Sequence, residues 1–288
     1  MGCADAREGL TRLETTLPCS GQEHRPGMVS TMNDRQNIDP PDGAIYLTTS
    51  GSRLYGTNLD NTDRDEMGIY VEDPQYVTGL KTPHHYVQRS QDAGVRSGPG
   101  DLDRQTYGLR KFATLAANGN PTVLLMLFVP RELQIIRTPQ SGLLQENTGL
   151  FLSKQAGHRF IGYLDSQRNQ LMTRNGSKHT NRPELVEKYG YDVKFAYHAV
   201  RLGLQGIELM RHGNIALPMS APDREMLLNI RRGMYSFEDI SRMITSIRFD
   251  LDAEIQNSDL PDDPGWNSID DLCHEIYVSS WRERGVLG

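Results

Sequence analysis

A strand that ends abruptly at a glycine–serine pair, with two aspartates close behind it, constrains the fold of this chain more than any other feature. Residues 44–49 form a β-rich run, and Ser50-Gly51-Ser52 ends it. Asp63 and Asp65 then open a second predicted strand, which runs to Val71. Because alternate residues of a strand point to the same face, both carboxylates are expected on one face of a small sheet.

The same segment has a direct chemical interpretation. Gly51 lets the backbone approach a phosphate without a Cβ clash, and the hydroxyl of Ser52 can donate to phosphate oxygens. Two carboxylates on one face, beside such a phosphate site, provide the hard oxygen ligands that magnesium prefers. Arg64 and Glu66 alternate with the aspartates and are expected to point away. Each motif is weak alone, since most Gly-Ser pairs are turns, but their order along the chain is informative.

A Walker-type P-loop is the nearest alternative for the glycines. Gly51 and Gly56 have the required spacing, but Thr57-Asn58 stands where that motif needs lysine followed by serine or threonine. The lysine that reaches the β- and γ-phosphates is therefore absent, which excludes this class of nucleotide site.

The later chain predicts a third strand and then mainly helices. The strand is expected over residues 101–107, and an amphipathic helix over residues 109–117 follows it. The apolar run 122–128 is interpreted as a buried helix, since Pro121 suits a first helical position. The remaining predicted helices cover residues 153–173, 191–212, 222–232 and 237–256, with a short one from Ser268. The pattern predicts an α/β (α+β) fold: a small mixed sheet backed by helices, followed by a mainly α-helical C-terminal half.

Charge, cysteine content and hydropathy narrow the class of protein. The 288 residues carry a net charge of −6, so any nucleic-acid contact requires a local basic patch. Cys3, Cys19 and Cys273 form no CxxC pair, which argues against a zinc ribbon or disulfide framework and favours a cytoplasmic setting. The most apolar run, residues 123–129, is too short to cross a bilayer, and no membrane partner is expected.

The segments Gly51-Ser-Arg-Leu-Tyr-Gly-Thr and Asp63-Arg-Asp-Glu-Met-Gly-Ile-Tyr-Val resemble the DNA polymerase β-type nucleotidyltransferase superfamily. Within it, the chain is similar to the predicted nucleotidyltransferases of the RNA ligase-associated branch of bacteria and phages. Further stretches match that branch: Tyr107-Gly-Leu-Arg-Lys-Phe-Ala-Thr-Leu-Ala, Gly119-Asn-Pro-Thr-Val-Leu-Leu-Met-Leu-Phe, and Lys194-Phe-Ala-Tyr-His-Ala-Val-Arg-Leu through Gly206-Ile-Glu-Leu-Met. The similarity covers roughly residues 43–245.

The resemblance implies an NTP donor, two magnesium ions and an in-line attack on the α-phosphate. It also implies a third carboxylate on a neighbouring strand. Asp103 is the candidate and Asp101 the second choice, unless both are turn aspartates after Gly98-Pro99-Gly100. The branch often has an acidic residue where this chain has Leu125. That departure weakens activity if the acid is catalytic and changes nothing if it is structural.

Basic and polar residues complete the predicted nucleotide site. Lys194, His198, Arg201 and Gln205 recur on one face of a predicted helix, which is either a stripe facing the cleft or a solvated surface. Arg110 and Lys111 either neutralise phosphate charge or face solvent. The residues expected to contact the nucleotide are Gly51, Ser52, Arg53, Tyr55, Lys111, Lys194, His198 and Arg201.

Other polar pairs carry less weight. His84-His85 has no partner at metal-ligand spacing, and Lys154 with His158 forms a single i, i+4 pair. Arg231-Arg232 with Arg242 and Arg248 is either a basic patch for a nucleic-acid acceptor or, more simply, surface charge.

The chain is accordingly predicted to have four regions. These are a flexible leader (1–42), a nucleotidyltransferase catalytic core (43–150), a helical lobe (151–256), and an acidic loop with a C-terminal helix (257–288). Met28 and Met32 are alternative start positions within the leader.

The predicted function is magnesium-dependent transfer of NMP from an NTP to an acceptor hydroxyl, with pyrophosphate as the leaving group. The acceptor is an RNA end, a protein side chain or a small molecule. Two alternatives remain open: a non-catalytic NTP-binding or adaptor module with the same fold, and a metal-dependent phosphohydrolase that uses the same acids.

Overall fold

The computed structural model describes residues 38–59, 63–83, 85–91, 95, 98, 100–174 and 182–287. Nearly all of the predicted leader lies outside these residues, as do Cys3, Cys19 and His84. Residues Asn37–Gly288 form one compact unit.

A mixed five-stranded sheet lies at the front of this unit. Its strands are β1 (Ala44–Thr49), β2 (Arg64–Tyr70), β3 (Tyr86–Arg89), β4 (Leu102–Gly108) and β5 (Gln134–Arg137). Their order across the sheet is β3-β4-β2-β1-β5. Only the β2–β4 pair is parallel; β1 is antiparallel to β2 and β5, and β3 is antiparallel to β4. The prediction of a small mixed sheet is confirmed.

Eleven helices are present in the described part of the chain. They are α1 (Gly51–Tyr55), α2 (Pro74–Val77), α3 (Leu109–Ala117), α4 (Pro121–Leu124), α5 (Pro139–Glu146), α6 (Lys154–Arg174), α7 (Pro183–Tyr189), α8 (Val193–His212), α9 (Ala221–Arg231), α10 (Phe237–Asn257) and α11 (Trp266–Glu283). The helices predicted from periodicity are confirmed to within about two residues at each end, except that the C-terminal helix, which was expected to be short, has 18 residues. The run 122–128 is helical as well, as α4 and a following 3₁₀ turn, with Pro121 in its first turn.

The parallel pairing of β2 and β4 decides where the acidic side chains lie. Asp65 is the direct register partner of Asp103, so both side chains point to the same face of the sheet. On the opposite face, Glu66 is buried and forms ion pairs with Arg64 and Arg104. The alternation expected from the sequence therefore holds along this strand.

The helical half packs around α8, which lies against α6, α9 and α10. Its buried face carries Ala199, Val200 and Leu209, and Gly203 lets α10 approach closely, since a Cβ there would lie 2.2 Å from Ile247 Cγ2. The same helix contributes Lys194, His198 and Arg201 to the cleft beside the sheet. A central, well-packed helix thus supports one wall of the site.

The described helices do not include one that is both long enough and apolar enough to span a membrane.

Candidate active site

A cleft of about 420 Å³ lies between the acidic face of the sheet and helices α8 and α9. Its lining combines residues from the first strand–helix turn, from β2 and β4, and from the helical half. The residues that line it are Ser50, Gly51, Ser52, Tyr55, Asp63, Asp65, Glu66, Met67, Asp103, Gln105, Thr122, Lys194, Tyr197, His198, Arg201 and Arg231.

Three carboxylates form the acidic side of the cleft. Asp63 immediately precedes β2, Asp65 lies within it, and Asp103 lies beside Asp65 on β4. Burial raises the pKa of Asp65 to about 6, and repulsion from Asp63 and then Asp103 adds to that shift. Asp63 and Asp103 therefore lie close enough to Asp65 for their charges to act on its carboxylate.

Gly51 is required here for a reason that the sequence did not indicate. Its φ of +64° favours glycine, and a Cβ on it would lie 2.1 Å from Oδ2 of Asp65. The glycine thus lets the Asp65 carboxylate lie against the turn, in addition to any role beside a phosphate.

The two carboxylate oxygens of Asp103 differ in their partners. Arg89 forms an ion pair with Oδ2 at 3.3 Å, while the buried Oδ1 has no hydrogen-bond partner in the described structure. Asp101, the second choice, behaves as a turn aspartate: it accepts hydrogen bonds from the Ser90 hydroxyl and the Gly98 amide. The geometry thus brings Asp103, and not Asp101, into the cleft.

The acidic side fits a divalent cation by its chemistry. Among the residues that the structure describes, no three His, Cys, Asp or Glu side chains are already gathered as a metal-binding group. Magnesium usually binds through one or two carboxylates together with substrate phosphates and water, and does not require an all-protein cage. Asp65 and Asp103, with the unpartnered Oδ1, offer the hard oxygen donors that such a site needs.

The opposite side of the cleft is basic. Arg201 is only 7% exposed, stacks over the ring of Tyr55 at 4.4 Å and donates to Gln205 Oε1 at 2.6 Å. Its Nε is buried without a partner in the described structure. Lys194 and Arg231 line the same side. A buried guanidinium that lacks a carboxylate partner and lines an open cleft is suited to an anionic ligand.

His198 lies among these cations but does not add to their charge. Burial lowers its pKa to about 3, and the nearby Arg201 and Lys194 contribute to the shift. The imidazole is therefore neutral at physiological pH. Desolvation, then Arg182 and Arg231, lower the pKa of Lys194 as well.

Several predicted contacts do not line the cleft. Arg53 is exposed near the cleft, and its positive charge offsets part of the rise in the pKa of Asp65. Lys111 lies over the ring of Tyr107 and lines a separate pocket with Arg110. Gln205 is fully buried and bonded to Arg201, so it orients that residue and does not reach the cleft. The helices that carry Lys111 and Gln205 were predicted correctly from the spacing of their apolar residues. That spacing could not show which of their polar side chains would line the cleft.

The weaker predicted features also lie elsewhere. Lys154 approaches Asp262 at 3.8 Å, and Arg242 and Arg248 form ion pairs with Asp239 and Asp165. The residues of the suggested basic patch therefore do not act together: Arg242 and Arg248 form local ion pairs, and only Arg231 of the patch lines the cleft.

Leu125 is 1% exposed within the hydrophobic core and does not line the cleft. Its position gives no indication that the site has lost a catalytic group.

Sequence reasoning missed part of the basic side. Tyr197 lies inside the family-matching segment that begins at Lys194. It was not predicted as a site residue, because an aromatic residue on an amphipathic helix usually belongs to the hydrophobic core. Arg231 was grouped with Arg232, Arg242 and Arg248 as either a basic patch for a nucleic-acid acceptor or surface charge, and not as part of the nucleotide site. Only the packing of α9 against α8 reveals that Arg231 reaches the cleft.

A mixed sheet that carries an acidic pair behind a glycine–serine turn is the architecture of polymerase β-like nucleotidyltransferases, the class that the sequence resemblance indicated. The chain matches the RNA repair pathway DNA polymerase beta family (RlaP) over residues 26–275, and it belongs to that family.

Two individual proteins are similar to this chain. An uncharacterized 38.9 kDa protein of Enterobacteria phage T4 is 27% identical over 120 residues, which are 41% of this chain and 35% of the phage protein. The match thus spans about a third of that relative's length. A nucleotidyltransferase-like protein from Exiguobacterium sibiricum 255-15 aligns over 75% of this chain and 70% of its own, with 9% identity and a TM-score of 0.27.

Proposed function

We propose that this protein is a magnesium-dependent nucleotidyltransferase, which moves an NMP from an NTP to an acceptor hydroxyl and releases pyrophosphate. The observation that carries this proposal is the division of charge across one cleft. Asp63, Asp65 and Asp103 lie on one side, and the basic side chains of α8 and α9 lie on the other. A substrate that is polyanionic and binds divalent cations matches both sides at once.

Each group has a role in this proposal. Asp63, Asp65 and Asp103 hold the metal, which when bound neutralises phosphate charge and polarises the α-phosphate. Lys194, Arg201 and Arg231 bind the triphosphate oxygens, and the Ser52 hydroxyl donates to them from the turn. Gly51 and Tyr55 shape the turn, and neutral His198 supplies a hydrogen bond. Together these side chains orient the α-phosphate for attack by the acceptor oxygen.

An RNA end is the acceptor that we favour. The name of the family refers to RNA repair, and this supports an RNA hydroxyl over a protein or small-molecule acceptor. The net charge of −6 implies that such an RNA is engaged locally, near the basic side of the cleft, and not over a broad surface.

Incubation with α-labelled ATP, CTP, GTP or UTP, magnesium and RNA of defined ends tests this function. We expect label on the RNA, together with pyrophosphate. Asp63→Asn and Asp65→Asn should abolish transfer, because each removes a negatively charged oxygen donor without changing side-chain size. Asp101→Asn is the matched control: it lies close by in a turn and outside the cleft, so it should retain activity.

The products separate the alternatives. NTP binding without turnover would favour a non-catalytic nucleotide-binding module. Inorganic phosphate in place of pyrophosphate would indicate a phosphohydrolase. Near-normal transfer by either aspartate variant would rule out the proposed metal ligands.

A further inference from the structure

Thr57 joins the first turn of the site to the helical half, with hydrogen bonds to Ser52 on one side and to Tyr197 and Arg231 on the other. It is fully buried, and its amide donates to the Ser52 carbonyl at 2.9 Å. Its hydroxyl lies 2.6 Å from the hydroxyl of Tyr197 on α8, and Arg231 on α9 donates to its carbonyl oxygen. One residue thus links Ser52 to two helices that follow it by 140 residues or more.

The two helical partners also contact each other and the cleft. The Arg231 guanidinium lies over the Tyr197 ring at 5.4 Å, and both residues line the cleft. On the same turn, the Tyr55 carbonyl accepts a hydrogen bond from the Met219 amide. The back of the turn is therefore bonded to three separate parts of the helical half.

The turn has little to hold it in place on its own. Helix α1 has only five residues, and its N-cap Ser50 makes no side-chain capping bond. A helix this short does not gain enough from its own hydrogen bonds to fix its position. Tertiary bonds must therefore determine where Ser52 stands relative to the cations of α8.

We infer that Thr57, Tyr197 and Arg231, here called the Thr57 anchor, set the distance between the Ser52 turn and the basic side of the cleft, so that one triphosphate can contact both. The inference rests on the proposed function. It makes Tyr197 and Thr57 positioning residues: they act through Ser52 and through the basic helix. Tyr197 and Arg231 have a second role, since both also line the cleft, whereas Thr57 does not.

If these bonds only stabilise the fold, their loss should lower thermal stability without weakening triphosphate binding. Another buried tyrosine of the chain serves as a matched control. Tyr191 is also buried, lies two residues before α8, and donates its hydroxyl proton to the Tyr235 carbonyl at 2.9 Å. Tyr191→Phe and Tyr197→Phe each delete one buried tyrosyl hydrogen bond. Only the second deletion touches the anchor.

Calorimetric titration with inorganic tripolyphosphate and magnesium measures the triphosphate site without any base preference. We expect Tyr197→Phe and Thr57→Val each to raise the Kd about fivefold, with little further loss in the double variant, because both remove the short Thr57–Tyr197 bond. Thr57→Val also removes the longer contact of 3.5 Å from the Thr57 hydroxyl to the Ser52 carbonyl. Thr57→Ser keeps the hydroxyl and should bind like wild type. Tyr191→Phe should match Tyr197→Phe in lost thermal stability but keep the wild-type Kd.

The outcomes distinguish the two proposals. If wild type binds tripolyphosphate and Tyr197→Phe behaves like Tyr191→Phe, the anchor inference is overturned while the proposed function stands. If Tyr197→Phe does not fold, the Thr57→Val and Thr57→Ser pair decides in the same way. If wild type binds neither tripolyphosphate nor any NTP, the proposed function fails and the anchor inference fails with it.

Discussion

At the scale of single residues, the contact between Gly51 and Asp65 is among the closest glycine contacts in the described part of the chain. The turn can hold the carboxylate against its backbone only because position 51 has no side chain and adopts a positive φ. The glycine was predictable from the sequence. Its partner was not, because the approach depends on how β2 pairs with β1.

Gly51→Ala should lower activity by more than the strain of placing alanine at a positive φ would explain. The new Cβ must displace the Asp65 carboxylate, and we expect transfer to fall by more than about tenfold, since displacements near 1 Å can cost 100-fold. Gly190→Ala is the control, because Gly190 has a similar φ of +81° and open space around its Cβ position. Both variants should lose similar stability in thermal melts. Equal activities would contradict the packing role of Gly51.

The raised pKa of Asp65 predicts a pH-dependent cost to folding. Since its pKa of about 6 lies above the ordinary 3.8, the folded protein holds a proton that the unfolded chain releases between those values. The charged carboxylate therefore destabilises the fold above about pH 6, and this cost disappears as the pH falls toward about 4.

Asp65→Asn removes that charge. At about pH 7.5, without divalent cations, it should raise the free energy of unfolding by about 1 kcal/mol, a figure reduced for solvent screening of a partly exposed group. At about pH 4 the gain should vanish. Denaturant unfolding at both pH values measures this difference, and a variant that is less stable than wild type at the higher pH would refute the account.

At the scale of elements, long periodic segments were predictable and short ones were not. Helices α6, α8 and α10 each run for 20 residues or more, so the spacing of their apolar residues is clear. Strands β3 and β5 have four residues each, too few to show a period, and they form only because β4 and β1 offer edges to pair with.

The parallel pairing of β2 with β4 illustrates the same limit for the site. The sequence predicted that Asp65 and Asp103 lie on strands, and the family resemblance supplied the idea that a third carboxylate joins them. Periodicity within one strand cannot give the register between two strands. The register that makes Asp65 and Asp103 direct neighbours belongs to the tertiary structure.

Glu72 connects three elements and should matter for stability. It is 3% exposed, and one carboxylate oxygen accepts hydrogen bonds from the Leu109 amide at the start of α3 and from the Tyr277 hydroxyl on α11. Its carbonyl also accepts from the Trp281 indole. The N-cap residue Gly108 has no side chain to cap α3. Glu72, which lies 37 residues before Leu109 in the chain, accepts the hydrogen bond from the Leu109 amide instead.

Glu72→Ala should therefore lower the free energy of unfolding by about 2–4 kcal/mol, since it leaves a buried amide and a buried hydroxyl without an acceptor. Glu72→Gln keeps an acceptor oxygen and should cost clearly less. Urea midpoints for the three proteins measure both effects. A Glu72→Ala midpoint equal to that of wild type would exclude the capping role.

At the scale of the whole molecule, the site exists only where the two halves of the chain meet. The sheet supplies the carboxylates, and α8 and α9 supply the cations, so neither half contains a complete site. The sequence motif identified Asp63 and Asp65 because they are close in sequence, and the family resemblance indicated Asp103. Most of the basic side could be predicted from one helix face, but Arg231 could not, since it comes from another helix.

Membership of the RNA repair pathway DNA polymerase beta family covers residues 26–275, which include all the residues that line the cleft. The phage relative matches only part of this span. The acceptor therefore remains the part of the proposed function that biochemistry must identify first.

In the proposed function, the acidic side of the cleft holds a divalent cation, and the polyphosphate helps to bind it. Titration of Mn²⁺, followed by electron paramagnetic resonance with and without tripolyphosphate, tests it directly. We expect weak binding by the protein alone, at least about tenfold tighter binding with tripolyphosphate, and loss of this gain in Asp65→Asn. Equal Mn²⁺ binding by wild type and Asp65→Asn in the presence of tripolyphosphate would contradict the account.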